Sequence, residues 1–358
     1  MKIFLSAILS LFLFQAIFAQ EKPLSQGEYV KMLYAVQKNS GVKQEIIEAL
    51  RKRGIAFELT DGLRGLTRTK GGNDEELKRA LEEAERRRQN PTTATLPNQK
   101  EAREIIEKAR QNTLTAVEEM PDFVVKQQIQ RSAAYAGTNN FRNLDRLVVA
   151  VSYRSTGEED YKVLSINGVL QEAPKSKNDY SETGGTSSTG EFVNVLATIF
   201  KRASDTEFEV VDTDSLNGRR SVVFSYSIDK DKAKQQITSF GYYEQSTITG
   251  VKGKIWIDRD NFRVLRIESE ATEIPESFPI RSAKRIINYD WVKITDGDYL
   301  LPTLSDVRLT MREGGKVFET RNLIRFKDYQ KFGTDVIILD DDTAPIEEEK
   351  PAQEKPNR

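Results

Sequence analysis

Four carboxylates gather on one stretch of the chain. Asp258, Asp260, Glu268 and Glu270 lie on or beside a single expected hairpin. Paired carboxylates are the equipment of glycoside hydrolysis, one giving a proton while the other attacks or activates water. The chain holds 55 acidic residues, however, so such neighbours arise by chance, and an Asp in a turn ordinarily caps that turn. No other catalytic set can be assembled. There is no cysteine and no histidine, which removes thiol nucleophiles, Ser-His-Asp triads, imidazole bases and ordinary zinc sites. The run Gly184-Gly185-Thr186-Ser187-Ser188-Thr189-Gly190 has the look of a phosphate cradle but lacks the Gly-Lys-Ser/Thr ending, and its composition reads as a flexible loop. Asp340-Asp341-Asp342 has the acid density of a calcium site without the alternating ligands or the glycine of a calcium loop. The expectation is a non-enzymatic protein with no cofactor and no metal.

The chain has 358 residues, 30% of them charged and 38% hydrophobic, with a formal net charge of -1. That length favours two folded units. Residues 1–19 read as a secretory signal peptide. Lys2 supplies the positive start, Ile3 to Phe18 is apolar but for Ser6, Ser10 and Gln15, and Ala19 offers a cleavage point. The rival reading is an uncleaved anchor, for which the run is slightly short. No later stretch is apolar for long enough to span a bilayer. The expected location is therefore outside the cytoplasm, in the periplasm, with no membrane span after cleavage. The near-neutral charge argues against nucleic acid as a partner.

Residues 23–89 read as a small helical module. Ser25 and Glu28 form a capping-box pattern, and Tyr29, Met32, Leu33 and Val36 make one apolar helix face. Val42, Ile46, Ala49 and Leu50 line a second helix that stops at Gly54. Thr60-Asp61 starts a third, with Leu63 and Leu66, and Asn73 is the expected cap of a last helix through Leu77, Ala80, Leu81 and Ala84. Its basic end, Arg86 to Arg88, hints at a DNA reader, but acidic neighbours cancel it and export carries the chain away from DNA. A docking or spacer role remains. Residues 90–98, with two prolines and a threonine cluster, form the linker.

Residues 99–335 form the larger domain. One helix opens it, with Ala102, Ile105, Ile106, Ala109 and Thr113 on a face. From Phe123 the period changes to two: Phe123, Val125, Gln127 and Ile129, then Val222, Phe224, Tyr226 and Ile228, then Val307, Leu309 and Met311. Such alternation marks antiparallel strands with one covered and one wet face. Asn167-Gly168 and Asn217-Gly218 are hairpin turns. The pattern predicts about nine to eleven strands, too many for a flat sheet. One helix interrupts them: Phe192, Val195, Leu196, Ile199 and Phe200 form an apolar stripe. It is either a lid over a ligand cavity or a core helix. Residues 340–358, rich in charge and proline, read as a disordered acidic tail.

This order resembles the lipoprotein-carrier fold of the bacterial envelope (LolA/LolB-like). The resemblance rests on the opening helix 99–117, on Thr189-Gly190-Glu191-Phe192, and on Gly253-Lys254-Ile255-Trp256-Ile257-Asp258 running on through Phe262-Arg263-Val264-Leu265-Arg266-Ile267-Glu268. It implies a half-open β-barrel whose helices cover an apolar cavity. The carrier family's key arginine has no identifiable counterpart among this domain's many. The fold class expected is α+β, a small helical bundle followed by a large curved antiparallel sheet with covering helices. The function expected is a carrier of lipid or lipidated protein, with Phe192, Val195, Leu196, Ile199 and Phe200 against the acyl chain. The alternative is an envelope interaction or sensor scaffold, with a filled barrel and a partner docked through residues 23–89.

Overall fold

The computed structural model describes residues 22–39, 41–91, 95–138, 140–172, 175–240, 244–332 and 342. The expected signal peptide, and the expected tail apart from Asp342, lie outside them. The chain divides into two compact units at Pro91.

Among the described residues the first unit has four helices: α1 (Gln26–Val36), α2 (Val42–Arg53), α3 (Asp61–Lys70) and α4 (Glu75–Gln89). Side-chain caps set three of the starts. Ser25 Oγ accepts from Glu28 N at 3.3 Å, Thr60 Oγ1 from Leu63 N at 3.3 Å, and Asp74 Oδ1 from Leu77 N at 2.9 Å. The cap of α4 is thus Asp74 and not Asn73, which takes a left-handed φ of 57° one residue earlier. Asp74 holds its acid at the helix N-terminus, where the macrodipole favours it. Leu24, Tyr29, Leu33, Ile46, Leu50, Leu63, Leu77 and Leu81 close on one another as a core belonging to this unit. Tyr29 and Thr67 share a buried hydroxyl–hydroxyl bond of 2.7 Å within it.

The second unit opens with α5 (Gln99–Glu118), capped by Asn98, whose side chain accepts from Lys100 N and Glu101 N at 3.0 Å. Strands follow: β1 (Phe123–Tyr135), β2 (Arg142–Tyr153), β3 (Glu159–Ile166) and the short β4 (Val169–Leu170). Then come α6 (Asn194–Phe200), β5 (Glu207–Leu216), β6 (Arg219–Ile228), α7 (Lys230–Ala233), β7 (Gln235–Phe240), β8 (Glu244–Asp258), β9 (Val264–Thr272), β10 (Ile280–Ile294), β11 (Gly297–Glu313) and β12 (Lys316–Lys331). Among the described residues they form one 12-stranded sheet in the order β4-β3-β2-β1-β12-β11-β10-β9-β8-β6-β5, with β7 on β8. The pairings are antiparallel and the sheet does not close; β4 and β5 end its path, and β7 pairs only with β8. The fold is therefore an α+β open sheet, with a strand or more beyond the count expected because β4 is only two residues long.

Register shifts interrupt the ladder at Val124/Lys126, Arg131/Ser132, Val148/Val149, Val210/Asp212, Trp256/Ile257 and Asn288/Tyr289. Each bulge bends its strand and adds twist, which is how a sheet of this width curls. Helices α5 and α6 lie on one face. Ala102, Ile105, Ile106 and Ala109 of α5 and Leu196, Ile199 and Phe200 of α6 pack on Phe224, Ile255, Ile267 and Ile287 of the sheet.

Candidate functional site

The covered face is built in rows, because antiparallel register places one residue of each strand opposite the next. One row is apolar: Phe224, Ile255, Ile267, Ile287, Ser305, Ile324, Ile129 and Leu147 from β6 across to β2. The next row is different in kind: Tyr226, Gly253, Ser269, Arg285, Val307, Asn322, Arg131 and Asp145. The helices cover the apolar row. An irregular segment, Tyr180–Val193, covers the polar one.

We call this segment the strap. Arg131 donates through Nη2 to Thr183 O at 3.3 Å and through Nη1 to Gly184 O. Asn322 Nδ2 donates to Thr186 O at 2.7 Å, and the Thr186 and Thr320 hydroxyls meet at 2.8 Å. Arg285 Nη1 donates to Thr189 O and Tyr289 OH to Glu191 O, each at 3.3 Å. The strap therefore runs from β1 over β12 to β10. Gly184, Gly185 and Gly190 hold φ of 71°, 68° and 79°, a region that penalises any Cβ. They are the points at which the strap turns.

At its C-terminal end the strap buries acid. Glu191 is fully buried; its Oε1 accepts from Ser188 Oγ, and its Oε2 has no partner among the described residues. Glu159 at the start of β3 accepts from Gly190 N at 3.1 Å and from Tyr161 OH, and its second oxygen is likewise unpartnered. Burial, with the Glu191 charge adding, pushes the Glu159 carboxyl up to about 7, against the hydrogen bonds from Tyr161 and Gly190 N and the charge of Arg285. The phenols of Tyr161, Tyr180 and Tyr289 are raised by burial around it. Beneath the same face Gln127, Ser165 and Ser305 keep buried polar atoms without partners among the described residues. Such atoms in a native core call for ordered water or another occupant.

The expected ligand-contacting residues are placed as follows. Helix α6 begins only at Asn194, so Phe192 precedes it. Phe192 turns into a cluster with Phe123, Tyr153 and Phe326, at centroid distances of 5.3, 6.0 and 5.5 Å. Leu196, Ile199 and Phe200 enter the cluster shared with α5, and Phe200 stacks on Phe208 at 5.9 Å. Val195 is half-buried. Four of the five are thus core side chains, with exposures of 7% or less. The sequence pattern found their burial. It did not single out Glu159, Arg131, Asn322 or Arg285, whose meeting depends on strand register.

The four carboxylates do structural work. Asp258 caps its turn, accepting from Asp260 N at 2.8 Å and Asn261 N at 3.2 Å, and Asp260 pairs with Arg220 at 2.9 Å. Glu268 pairs with Arg266 at 2.7 Å, and Glu270 faces Lys284 at 3.6 Å. The latter two line a groove of about 840 Å³ on the open face, together with Glu207, Glu209, Lys252, Lys254 and Arg308. Asp342, the one described residue of the expected tail, is buried: it accepts from Gln128 Nε2 at 2.8 Å and pairs with the buried Lys126. A charge is tolerated there because an opposite charge meets it.

No protein-family model and no curated protein matches the chain. Among solved structures, a DUF1329 family protein from Desulfovibrio piger is similar at 10% identity and a TM-score of 0.30, over 64% of this chain and 95% of that one. The Pseudomonas aeruginosa MucA/MucB complex gives 9% identity and 0.19 over 62% of this chain and 93% of that one. MucB in complex with MucA(peri) gives 10% and 0.18 over 61% and 93%. At such scores the functional reading rests on the residues of this chain. No helix among the described residues is long and apolar enough to cross a membrane.

Proposed function

We propose that the protein is an exported, non-enzymatic interaction protein of the cell envelope, its β unit a scaffold and its helical unit a docking module. The observation that carries this reading is the packing of Phe192, Leu196, Ile199 and Phe200 into the core. A face occupied by its own helix leaves little space for a resident acyl chain. The helical unit has a core of its own, as a separately docking module needs. Export rests on the apolar run at 3–18.

A second reading, carriage of an acyl chain or a lipidated protein, is favoured by one feature. Ile237, Ala271, Phe278 and Ile280 form a cluster with the half-exposed Ile274, Ala283, Leu309 and Met311. An acyl chain laid there would gain about 0.8 kcal/mol per buried CH₂.

Native mass spectrometry of the protein purified from its own envelope decides between them. The interaction reading expects a mass that starts after Ala19, free of lipid, and a partner lost when residues 22–91 are removed. A stoichiometric acyl-containing species would overturn it in favour of carriage. A cytoplasmic chain retaining Met1 would overturn both.

A further inference from the structure

Among the described residues, β4, β5 and β7 each pair along one side only. Two of these edges are blunted. β4 is two residues long. β5 carries Glu207, Glu209, Asp212 and Asp214 and is broken by a bulge at Val210/Asp212. Short length, charge and bulges are the means by which folded proteins keep an edge from pairing with another chain. β7 has none of them. It pairs with β8 without a break from Gln235↔Thr249 to Phe240↔Glu244, and its sequence, Gln-Gln-Ile-Thr-Ser-Phe, holds no charge and no proline. Alternate residues of an antiparallel strand turn their N–H and C=O away from the partner strand, so half of its main-chain groups face outward.

The arm made by β7 and the facing part of β8 suits a copy of itself. Gln236, Thr238 and Phe240 share one face with Ser246 and Ile248, because residues opposite each other in a ladder lie on the same side. Phe240 is 60% exposed and Ile248 40%. A twofold axis at Thr238 sets β7 antiparallel to its copy, Thr238 opposite Thr238 and Phe240 opposite Gln236. Gln236 is the ladder partner of Ile248, so each Phe240 ring lies towards the other copy's Ile248, and both apolar side chains leave water. The side chains between them are amides and hydroxyls, which pair with their own kind. Thr238 Oγ1 already meets Ser246 Oγ at 2.9 Å within the arm. No charge on β7 meets its like across the axis, whereas the same operation on β5 brings its acids together.

We infer that β7 is a self-association edge: a second copy of this chain adds there, β7 against β7, and continues the sheet across a twofold axis. The inference goes beyond the interaction reading and does not depend on what docks on residues 22–91. One six-residue edge is a small interface, so the dimer is weak and reversible.

Sedimentation equilibrium of the whole mature chain, at concentrations up to about 1 mM, should show a monomer–dimer equilibrium. Thr238→Lys sets like charges opposite each other and should weaken it about tenfold or more. Phe240→Ser removes the apolar contact and should weaken it as well. Thermal melting checks that each variant is folded. The chain has no cysteine, so single cysteines report which edge is used. Under mild oxidation Thr238→Cys should give a covalent dimer, while Val169→Cys on β4 and Val211→Cys on β5 should stay monomeric.

A monomeric mass at every concentration would overturn the inference. So would a dimer that Thr238→Lys and Phe240→Ser leave intact in folded protein. Cross-linking through Val169→Cys or Val211→Cys in place of Thr238→Cys would give the contact to another edge and overturn it too.

Discussion

Phe192 stands edge-on to Phe326, ring centroids 5.5 Å apart and planes at 81°. The contact joins the end of the strap to β12 just before α6 begins, so one ring fixes where an irregular segment becomes helix. Phe192 is 1% exposed and meets Phe123 edge-on as well. Phe192→Ala should cost about 3–5 kcal/mol. In urea unfolding the midpoint of the larger unit should fall with an unchanged slope. A loss below about 1 kcal/mol, the scale of a tolerated core swap, would mean that the ring occupies a loose pocket, and would revive the acyl-cavity reading.

Gly253 lies in the middle of β8, where strand propensity disfavours glycine. The reason is close approach: a methyl group there would strike the Glu268 carbonyl oxygen and reach Ser269 Cα at 3.0 Å. Tyr226, its neighbour across the ladder, sends its hydroxyl to that same Glu268 carbonyl at 3.2 Å. Gly253→Ala should therefore prevent normal pairing of β8 with β9. The expected result is a protein with no cooperative near-UV melt, whereas Ser269→Ala one strand away leaves the melt within a few degrees. An intact melt for Gly253→Ala would show that the strands separate freely at this point.

Local signals made the helices and strands legible in the sequence. Ser25 and Thr60 announced helix starts through side-chain chemistry that acts within three residues. Alternation at Val222, Phe224, Tyr226 and Ile228 announced a covered face, because the side-chain period of a strand is two. Asn73 was misleading since Asp74 beside it offers the same chemistry with a charge that the helix dipole favours. The strap's contacts were not legible. Arg131 and Asn322 are separated by 191 positions in number but are ladder partners, and alternation gives the face of a residue without its partner. Glu191 reads as an ordinary polar residue before a helix until the fold buries it.

The two units have separate cores, so each should unfold by itself. Leu50 is fully buried among Leu33, Ile46, Leu77 and Leu81. Burying a carboxylate among these aliphatic side chains is costly. Leu50→Asp should abolish the helical circular dichroism of an isolated 22–91 fragment. In the full chain it should remove one thermal transition and leave that of the larger unit in place. Loss of both transitions would show that the units fold as one.

Glu159 sets a pH window for the larger unit. Its carboxyl titrates near 7 in the folded chain against an ordinary 4.5, first through burial and then through the Glu191 charge. A folded value above the unfolded one means that the folded state holds the proton more tightly. The stability this gives is complete below about pH 4.5 and is lost as pH rises to about 7, amounting to about 3 kcal/mol at most. Above 7 both states are ionised and the slope disappears. Glu159→Gln keeps acceptors for Tyr161 and Gly190 but cannot ionise, so it should match wild type at pH 5 and exceed it at pH 8. The displaced carboxyls of Glu28, Glu85 and Asp122 are lowered instead, and titrate below this window. Urea unfolding at pH 5, 6, 7 and 8 separates the cases. Parallel stability curves for the two proteins would mean that the acid beneath the strap is solvated and the strap already open.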